Sequence, residues 1–383
     1  MKWKALSVVL CAVGLAGIGA ILILHSSHPH PDNNAVSGRI SAVHRPLPAT
    51  MNRALYNAKT LKLANLPPRP GCAQAAAAAS RSDRKRVYKA VSASGPARLD
   101  TKEAVFHPCP PALWPVHVPY PNAGAVLPFK RIVAYYGNFY SPRMGVLGEY
   151  SPDKMLSMLA STTKAWAAAD PSTPVVPALD YIAVSAQNVP WKDGKYRFRM
   201  PAGQIEKVIS MGDQIHGLVF LDVQPGWSTV EAEVLRLAPY LKRPNVELAL
   251  DPEFALTEGK RPGAWFGTMN AADINLAARF LARIVRENHL PPKILVVHRF
   301  TERMVTDFHA IKPLPEVQIV MDMDGFGSPV LKTATYKSYI ARQPVQFTGF
   351  KLFYKNDVKI GGALMTPIQV LSLSPQPSFI LYQ

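Results

Sequence analysis

Gly217-Leu-Val-Phe-Leu-Asp222-Val-Gln-Pro-Gly226 and, after a short amphipathic run, Val246-Glu-Leu-Ala-Leu-Asp251-Pro-Glu253-Phe254 set the pattern for the chain. In each segment an apolar β-type run ends on an aspartate. A parallel strand delivers a carboxylate in this way to the end of a sheet where ligands bind.

Working outward, the same unit recurs from Phe129 to the C-terminus. Strands are expected at Arg131–Gly137, Pro174–Tyr181, Gly217–Asp222, Asn245–Asp251, Lys293–His298, Glu316–Asp322, Phe347–Tyr354 and Ser378–Tyr382. Helix starts separate them. Ser151-Pro152 places serine at an N-cap and proline at the first turn, where its missing N–H costs nothing. Met155, Leu156, Leu159 and Trp166 then share one face. Ile205, Val208 and Ile209 mark the next helix, and Ser228 to Glu231 has capping-box spacing. A further helix follows Asn270 with Ile274, Ala277, Ala278, Leu281 and Val285 on one side, and others are expected after Thr301, Ser328 and Thr366. Eight βα-like units, the last without its helix, predict an α/β fold of the (β/α)8 TIM-barrel type over residues 129–383. An open doubly wound sheet is the alternative, but the first strand runs into Gly137-Asn-Phe-Tyr140 rather than a glycine-rich phosphate loop.

The first third of the chain reads differently. Lys2 and Lys4 precede an uncharged apolar run from Ala5 to Leu24, long enough for a bilayer core. Residues 1–24 are read as a membrane-spanning signal-anchor with the remainder outside the cell membrane, or as a signal peptide with a secreted product. Residues 25–128 read as a low-complexity basic stalk, with His-Pro-His-Pro, a run of five alanines and the basic cluster Arg81 to Arg86. The chain's +17 formal charge is concentrated here, since 13 Lys/Arg face 4 Asp/Glu between His25 and Pro128. Such a stretch suits an anionic surface. It lacks the interleaved aromatics of a nucleic-acid platform, so no nucleic-acid partner is expected. Cys72 and Cys109 fall within it and form a possible disulfide in an oxidising compartment.

If a barrel forms, its chemistry gathers at the C-terminal strand ends. Six strands end on Asp180, Asp222, Asp251, His298, Asp322 and Lys351. Residues two apart share a strand face, so Asp222 continues the column of Phe220 and Leu218, and His298 that of Val296 and Ile294. Glu253 and Asp324 lie two residues beyond Asp251 and Asp322, on the same side. Clustered carboxylates drive one another's pKa values apart, so one keeps its proton while another ionises. Glycoside cleavage needs that division between an acid and a base or nucleophile. Glu253, Asp251 and Asp222 are accordingly the catalytic candidates, with Asp180, His298, Asp322, Asp324, Lys351, Tyr136 and Trp227 as substrate-binding candidates. Tyr135, Trp191, Trp265 and Phe326 are further rim aromatics suited to sugar faces. No metal or cofactor is expected: within residues 129–383 His-x-His and His-Glu-x-x-His spacings are missing, as is a Gly-x-Ser-x-Gly elbow.

The motifs Tyr135-Tyr-Gly-Asn138, Met144-Gly-Val-Leu-Gly-Glu149, Leu221-Asp-Val-Gln-Pro-Gly226, Leu248-Ala-Leu-Asp-Pro-Glu-Phe254, Val296-Val-His298, Asp324-Gly-Phe-Gly327 and Gly349-Phe-Lys-Leu-Phe-Tyr354 resemble an exported bacterial TIM-barrel family without an assigned activity. More distantly, Asp251-x-Glu253 is similar to the carboxylate pair of barrel-type lysozymes and chitinase-like glycosidases. Two departures stand out: the first strand carries no aspartate, and the seventh ends in Lys351 where common barrel glycosidases place a glutamate nucleophile. The tether and the carboxylate-lined mouth together predict action on a cell-envelope carbohydrate polymer. A non-catalytic barrel binding wall glycans or a protein through the same pocket is the alternative.

Overall fold

The computed structural model describes residues 51–66 and 112–383. Eight parallel strands form the centre: β1 (Arg131–Gly137), β2 (Val175–Ala186), β3 (Leu218–Val223), β4 (Val246–Leu250), β5 (Lys293–Arg299), β6 (Val317–Met323), β7 (Phe347–Leu352) and β8 (Phe379–Tyr382). Each pairs with the next in sequence, and β1 pairs with β8, Ile132 opposite Phe379 through Tyr135 opposite Tyr382. The sheet is therefore closed, a (β/α)8 barrel, and the open-sheet alternative is excluded.

Alternation along the strands sorts the core into two shells. Inside lie Ile132, Ala134, Ala178, Phe220, Ala249, Val296, Val320 and Leu381. Outside, Val133, Leu179, Leu221, Leu248, Leu295 and Ile319 meet the helices. These are α2 (Pro152–Ala169), α3 (Ala202–Gln214), α4 (Val230–Arg236), α5 (Ala271–Asn288), α6 (Pro329–Tyr336) and α7 (Pro367–Leu371). Met155, Leu159 and Trp166 are the buried face of α2 as expected, and Asn270 closes a full capping box with Asp273 on α5.

Local differences have local causes. The helix start after β3 is capped by Thr229, whose hydroxyl accepts from Ala232 N–H, and not by Ser228. No α-helix follows Thr301; the chain makes 3-10 turns at Glu302–Met304 and Phe308–Ala310. The buried Arg299 takes the carbonyls of Thr301 and Glu302, which a helix would have used for its own first bonds. Strand β2 runs to Ala186, beyond the expected end at Tyr181, and its extension pairs antiparallel with a short strand, Arg197–Arg199. Fully buried Glu233 of α4 holds that hairpin, accepting from Arg197 Nε at 2.9 Å and from Arg199 Nε at 2.7 Å.

The stretch expected to be a stalk contributes to the folded domain at two places. Helix α1 (Arg53–Ala64) and the strap 112–130 close the N-terminal end of the barrel, where Tyr56 and Leu127 join the interior shell. Gln318 of β6 fastens the strap, its Oε1 accepting from Val126 and Leu127 N–H at 3.0 and 3.1 Å. Gln376 N–H donates to Leu63 O at 2.7 Å. A cavity of ≈ 20 Å³ remains between α1 and the barrel, lined by Tyr56, Thr60, Gln346 and Thr348 among others, at the far end from the C-terminal strand ends. The apolar run 5–24, the basic cluster and the Cys72/Cys109 pair lie outside the described residues. Among the described residues no helix is long and apolar enough to cross a membrane.

Candidate active site

The C-terminal strand ends converge on one buried polar cluster. Asp180, Asp222, His298 and Asp322 have no exposed surface, and Lys351, Asp251, Tyr136 and Gln224 almost none. Asp324 is slightly open, and Glu253, in the 3-10 turn Pro252–Phe254 after β4, is half-buried. Depth thus grades from a sealed floor of Asp180, Asp222, His298 and Asp322 to an accessible edge of Glu253 and Asp324.

His298 is the hub. Its Nδ1–H donates to Asp322 Oδ2 at 3.0 Å, while Nε2 lies 3.9 Å from Asp222 Oδ1 and 4.0 Å from Asp180 Oδ2. Burial alone would lower its pKa, but the Asp322 bond and the surrounding carboxylates raise it to about 10. The ring is therefore an imidazolium. Lys351 behaves alike: burial works against its charge, yet Asp324, Asp251 and Asp322 hold its pKa above the ordinary lysine value. Its Nζ pairs with Asp324 Oδ1 at 3.0 Å and stands 3.8 Å over the Tyr136 ring. A lysine so held is no amine nucleophile.

Six carboxyl groups thus face two cations. The surplus is resolved by proton retention: burial first, then mutual repulsion, pushes Asp180 and Glu253 well above the ordinary carboxyl range, and burial also raises Asp222 and Asp322. Asp251 is raised to about 7 by burial and by Asp222. Both Asp180 oxygens, Asp222 Oδ1 and Asp322 Oδ1 are buried without a hydrogen-bond partner among the described residues. Ionising all of them together would be prohibitive.

One relay gives the cluster direction. Gln224 Oε1 accepts from Ala186 N–H at 3.0 Å, which fixes the amide so that Nε2 donates to Tyr136 Oη at 3.1 Å and Asp251 Oδ2 at 3.3 Å. Tyr136 must then give its own proton to Asp222 Oδ2, at 2.8 Å. Asp251 Oδ1 accepts from Glu253 N–H at 3.2 Å. Gln224 escaped the sequence reading, although it stands two residues past Asp222 and the period-two rule that found Glu253 and Asp324 would have found it.

The remaining candidates divide. Tyr136 is in the cluster, but Tyr135 points to the helix layer, bonding Thr162 and Tyr354 through its hydroxyl. Trp227 packs on Tyr196 at 4.2 Å between ring centroids and gives its indole N–H to Lys260 O at 2.6 Å, so it belongs to the loop wall and not to the buried cluster. Trp191 packs on Phe198. Trp265 is exposed, and Phe326, also exposed, meets Phe353 edge-on. Among the described residues no group of three or more His, Cys, Asp or Glu is placed to hold a metal ion.

No protein-family model matches the chain, and no curated protein does. Among solved structures it is similar to a cellulase at 11% identity and a TM-score of 0.39, over 66% of this chain and 75% of that one. A Bacillus subtilis mannanase matches at 11% and 0.35, over 66% and 79%. A chitinase of Pseudoalteromonas aurantia matches at 11% and 0.30, over 66% and 93%. These neighbours are glycoside hydrolase barrels, distant in sequence. At such TM-scores they lend nothing to the assignment of individual residues, and the fold stands on the strand order above.

Proposed function

We propose that the protein is a membrane-tethered extracytoplasmic barrel that cleaves a cell-envelope polysaccharide by carboxylate acid/base chemistry. The observation that carries this reading is the unequal treatment of two neighbouring acids, the half-buried Glu253 and the buried Asp251. Burial and Asp251 hold the Glu253 pKa well above the ordinary carboxyl value, while Asp251, at about 7 and supported by two N–H donors, ionises near neutrality. Glu253 then donates to the leaving glycosidic oxygen. Asp251 takes the proton of the attacking water, and the tyrosine-bonded Asp222 beneath it steadies the developing positive charge. Lys351 and Asp324 face hydroxyl or amide groups of the sugar, and the exposed Trp265 offers a ring face. The rate rises as Asp251 ionises near pH 7 and falls where Glu253 loses its proton.

The test is release of reducing ends from peptidoglycan and from neutral and anionic glycans by the full chain. Glu253→Gln and Asp251→Asn should each lower the rate by about 10²–10⁴-fold. Binding that persists with no reducing ends, unaltered in both variants, would support the second reading, a glycan- or protein-binding barrel without turnover. The sealing of Asp180, Asp222, His298 and Asp322 beneath the surface is what favours that alternative.

A further inference from the structure

Lys332 and Tyr336 are the buried residues of α6, four apart on one face. A lysine thus occupies a place where helix and barrel would otherwise pack through an apolar side chain. Its three ammonium hydrogens are all used: they go to Gly325 O at 2.6 Å, to Lys351 O at 2.7 Å and to Asp357 Oδ2 at 3.1 Å. Asp357, equally buried, accepts from Gly327 N–H at 2.8 Å through Oδ1 and from Phe353 N–H at 2.9 Å through Oδ2. One ion pair therefore grips two backbone groups of the β6–α6 loop and two at the end of β7. It is a costly way to fill space, since burial pushes the Lys332 pKa down to about 8 and a buried pair is often no more stable than apolar residues of the same volume. What it adds to apolar packing is direction.

The four backbone groups lie along a seam. Strands β6 and β7 pair from Val320 opposite Phe347 to Met323 opposite Phe350, and there the pairing ends. The next residues are Asp324 and Lys351, whose side chains meet at 3.0 Å at the mouth. Past that point each strand is held on its other side: Asp324 N–H donates to Arg299 O at 3.1 Å, and β7 follows β8 as far as Leu352 opposite Tyr382. The Lys332–Asp357 pair spans the gap between them. We propose that Lys332 and Asp357 are positioning residues that stitch this seam and so set the Asp324–Lys351 pair at the spacing in which it meets a glycan. Both are buried behind that pair and act through it. The inference rests on the proposed function for what the mouth binds, and on the hydrogen bonds above for how the mouth is held.

The test compares the full chain with its Lys332→Met and Lys332→Met/Asp357→Asn variants. The single change strands a buried carboxylate and endangers folding; the double change removes both charges together and keeps an acceptor for Gly327 N–H. In the double variant KM for the cleaved glycan, or Kd in a barrel without turnover, should rise about tenfold, the worth of one charge-assisted hydrogen bond, with kcat within about threefold. In an Asp324→Asn background the same two changes should add less than about twofold, because the pair they position is already broken. Without any glycan, the ammonium hydrogens of Lys351, followed by NMR with isotope-labelled lysine, should exchange with water roughly tenfold faster in the double variant while the amides of β1–β8 are unmoved. Unchanged affinity together with unchanged Lys351 exchange overturns the proposal. So does a full tenfold loss on top of Asp324→Asn, which puts the effect elsewhere, and so does a double variant that does not fold, since the pair is then simply structural. If the parent chain neither cleaves nor binds any glycan, the proposed function falls, and faster Lys351 exchange in the double variant would still uphold the positioning.

Discussion

Gly349 shows how narrowly the cluster is set. A Cβ there would overlap Oδ1 and Cβ of Asp322, which holds the imidazolium of His298. Gly349→Ala should swing Asp322 off His298 and bring the histidine pKa down from about 10, read by NMR titration of its ring. An unmoved titration would mean the carboxylate has room elsewhere. Asp180 carries the clearest pH signature. Its folded-state pKa lies well above its ordinary value, because burial and then Asp222 oppose ionisation. The folded chain thus holds protons that the unfolded chain releases, and stability falls as pH rises. The Asp251 window runs from its ordinary 3.8 to about 7, and that of His298 from 6.5 to about 10, so both act in the same direction. Tm should decline from mildly acidic to alkaline pH. Asp180→Asn keeps the shape and removes one of these protons, so its Tm at pH 9 should exceed the parent's, by about 2–4 °C for each kcal/mol recovered. Parallel Tm curves for the two proteins would count against a strained carboxyl at Asp180.

Among elements, the extension of β2 most needs external support. Its partner Arg197–Arg199 is three residues long, and such a hairpin is marginal by itself. Glu233 supplies what is missing, with two arginines on one buried carboxylate. Burial alone would raise the Glu233 pKa, yet the bonds from Arg199, Ser228 and Arg197 bring it below the ordinary value. Glu233→Ala should therefore cost about 1–3 kcal/mol in chemical denaturation, because it leaves the buried Arg197 Nε without an acceptor while Asp193 still pairs with Nη1 at 2.7 Å. A loss below about 1 kcal/mol would mean the hairpin stands without it. This element also marks where sequence reading stops. The eight barrel strands were legible because their apolar columns and polar ends repeat with period two. The hairpin was not, since Arg197-Phe-Arg199 resembles any exposed loop until Glu233, distant in sequence, is seen to meet it. The absent helix after Thr301 was hidden for the same reason, its carbonyls being claimed by Arg299.

At the scale of the molecule, the N-terminal third was the hardest to read. Proline and basic residues suggested a stalk, and only the run from Arg53 to Ala64, with its Asn52 cap, betrays an element. That helix and the strap close the barrel's lower end. A chain starting at Phe129 would strip the cover from Ile132, Phe347 and Phe379 and leave Gln318 without its backbone partners. Such a fragment should bind a hydrophobic dye and unfold at lower denaturant than a chain that keeps residues 51–66 and the strap. Equal midpoints would make the lower closure dispensable. The site candidates were legible as a location, since eight of the ten lie at an expected strand end or two residues beyond one. Their ranking was not, because exposure separates Glu253 from Asp180 and exposure is a property of the assembled mouth.

The last strand has a practical side. Gln383 follows β8 at the mouth, its N–H donating to Leu352 O and its carbonyl accepting from Tyr354 N–H, both at 2.9 Å. Anything joined after Gln383 emerges on the rim beside the carboxylate cluster, where an affinity tag competes with substrate for space. A tag carried there could make a working protein look inert.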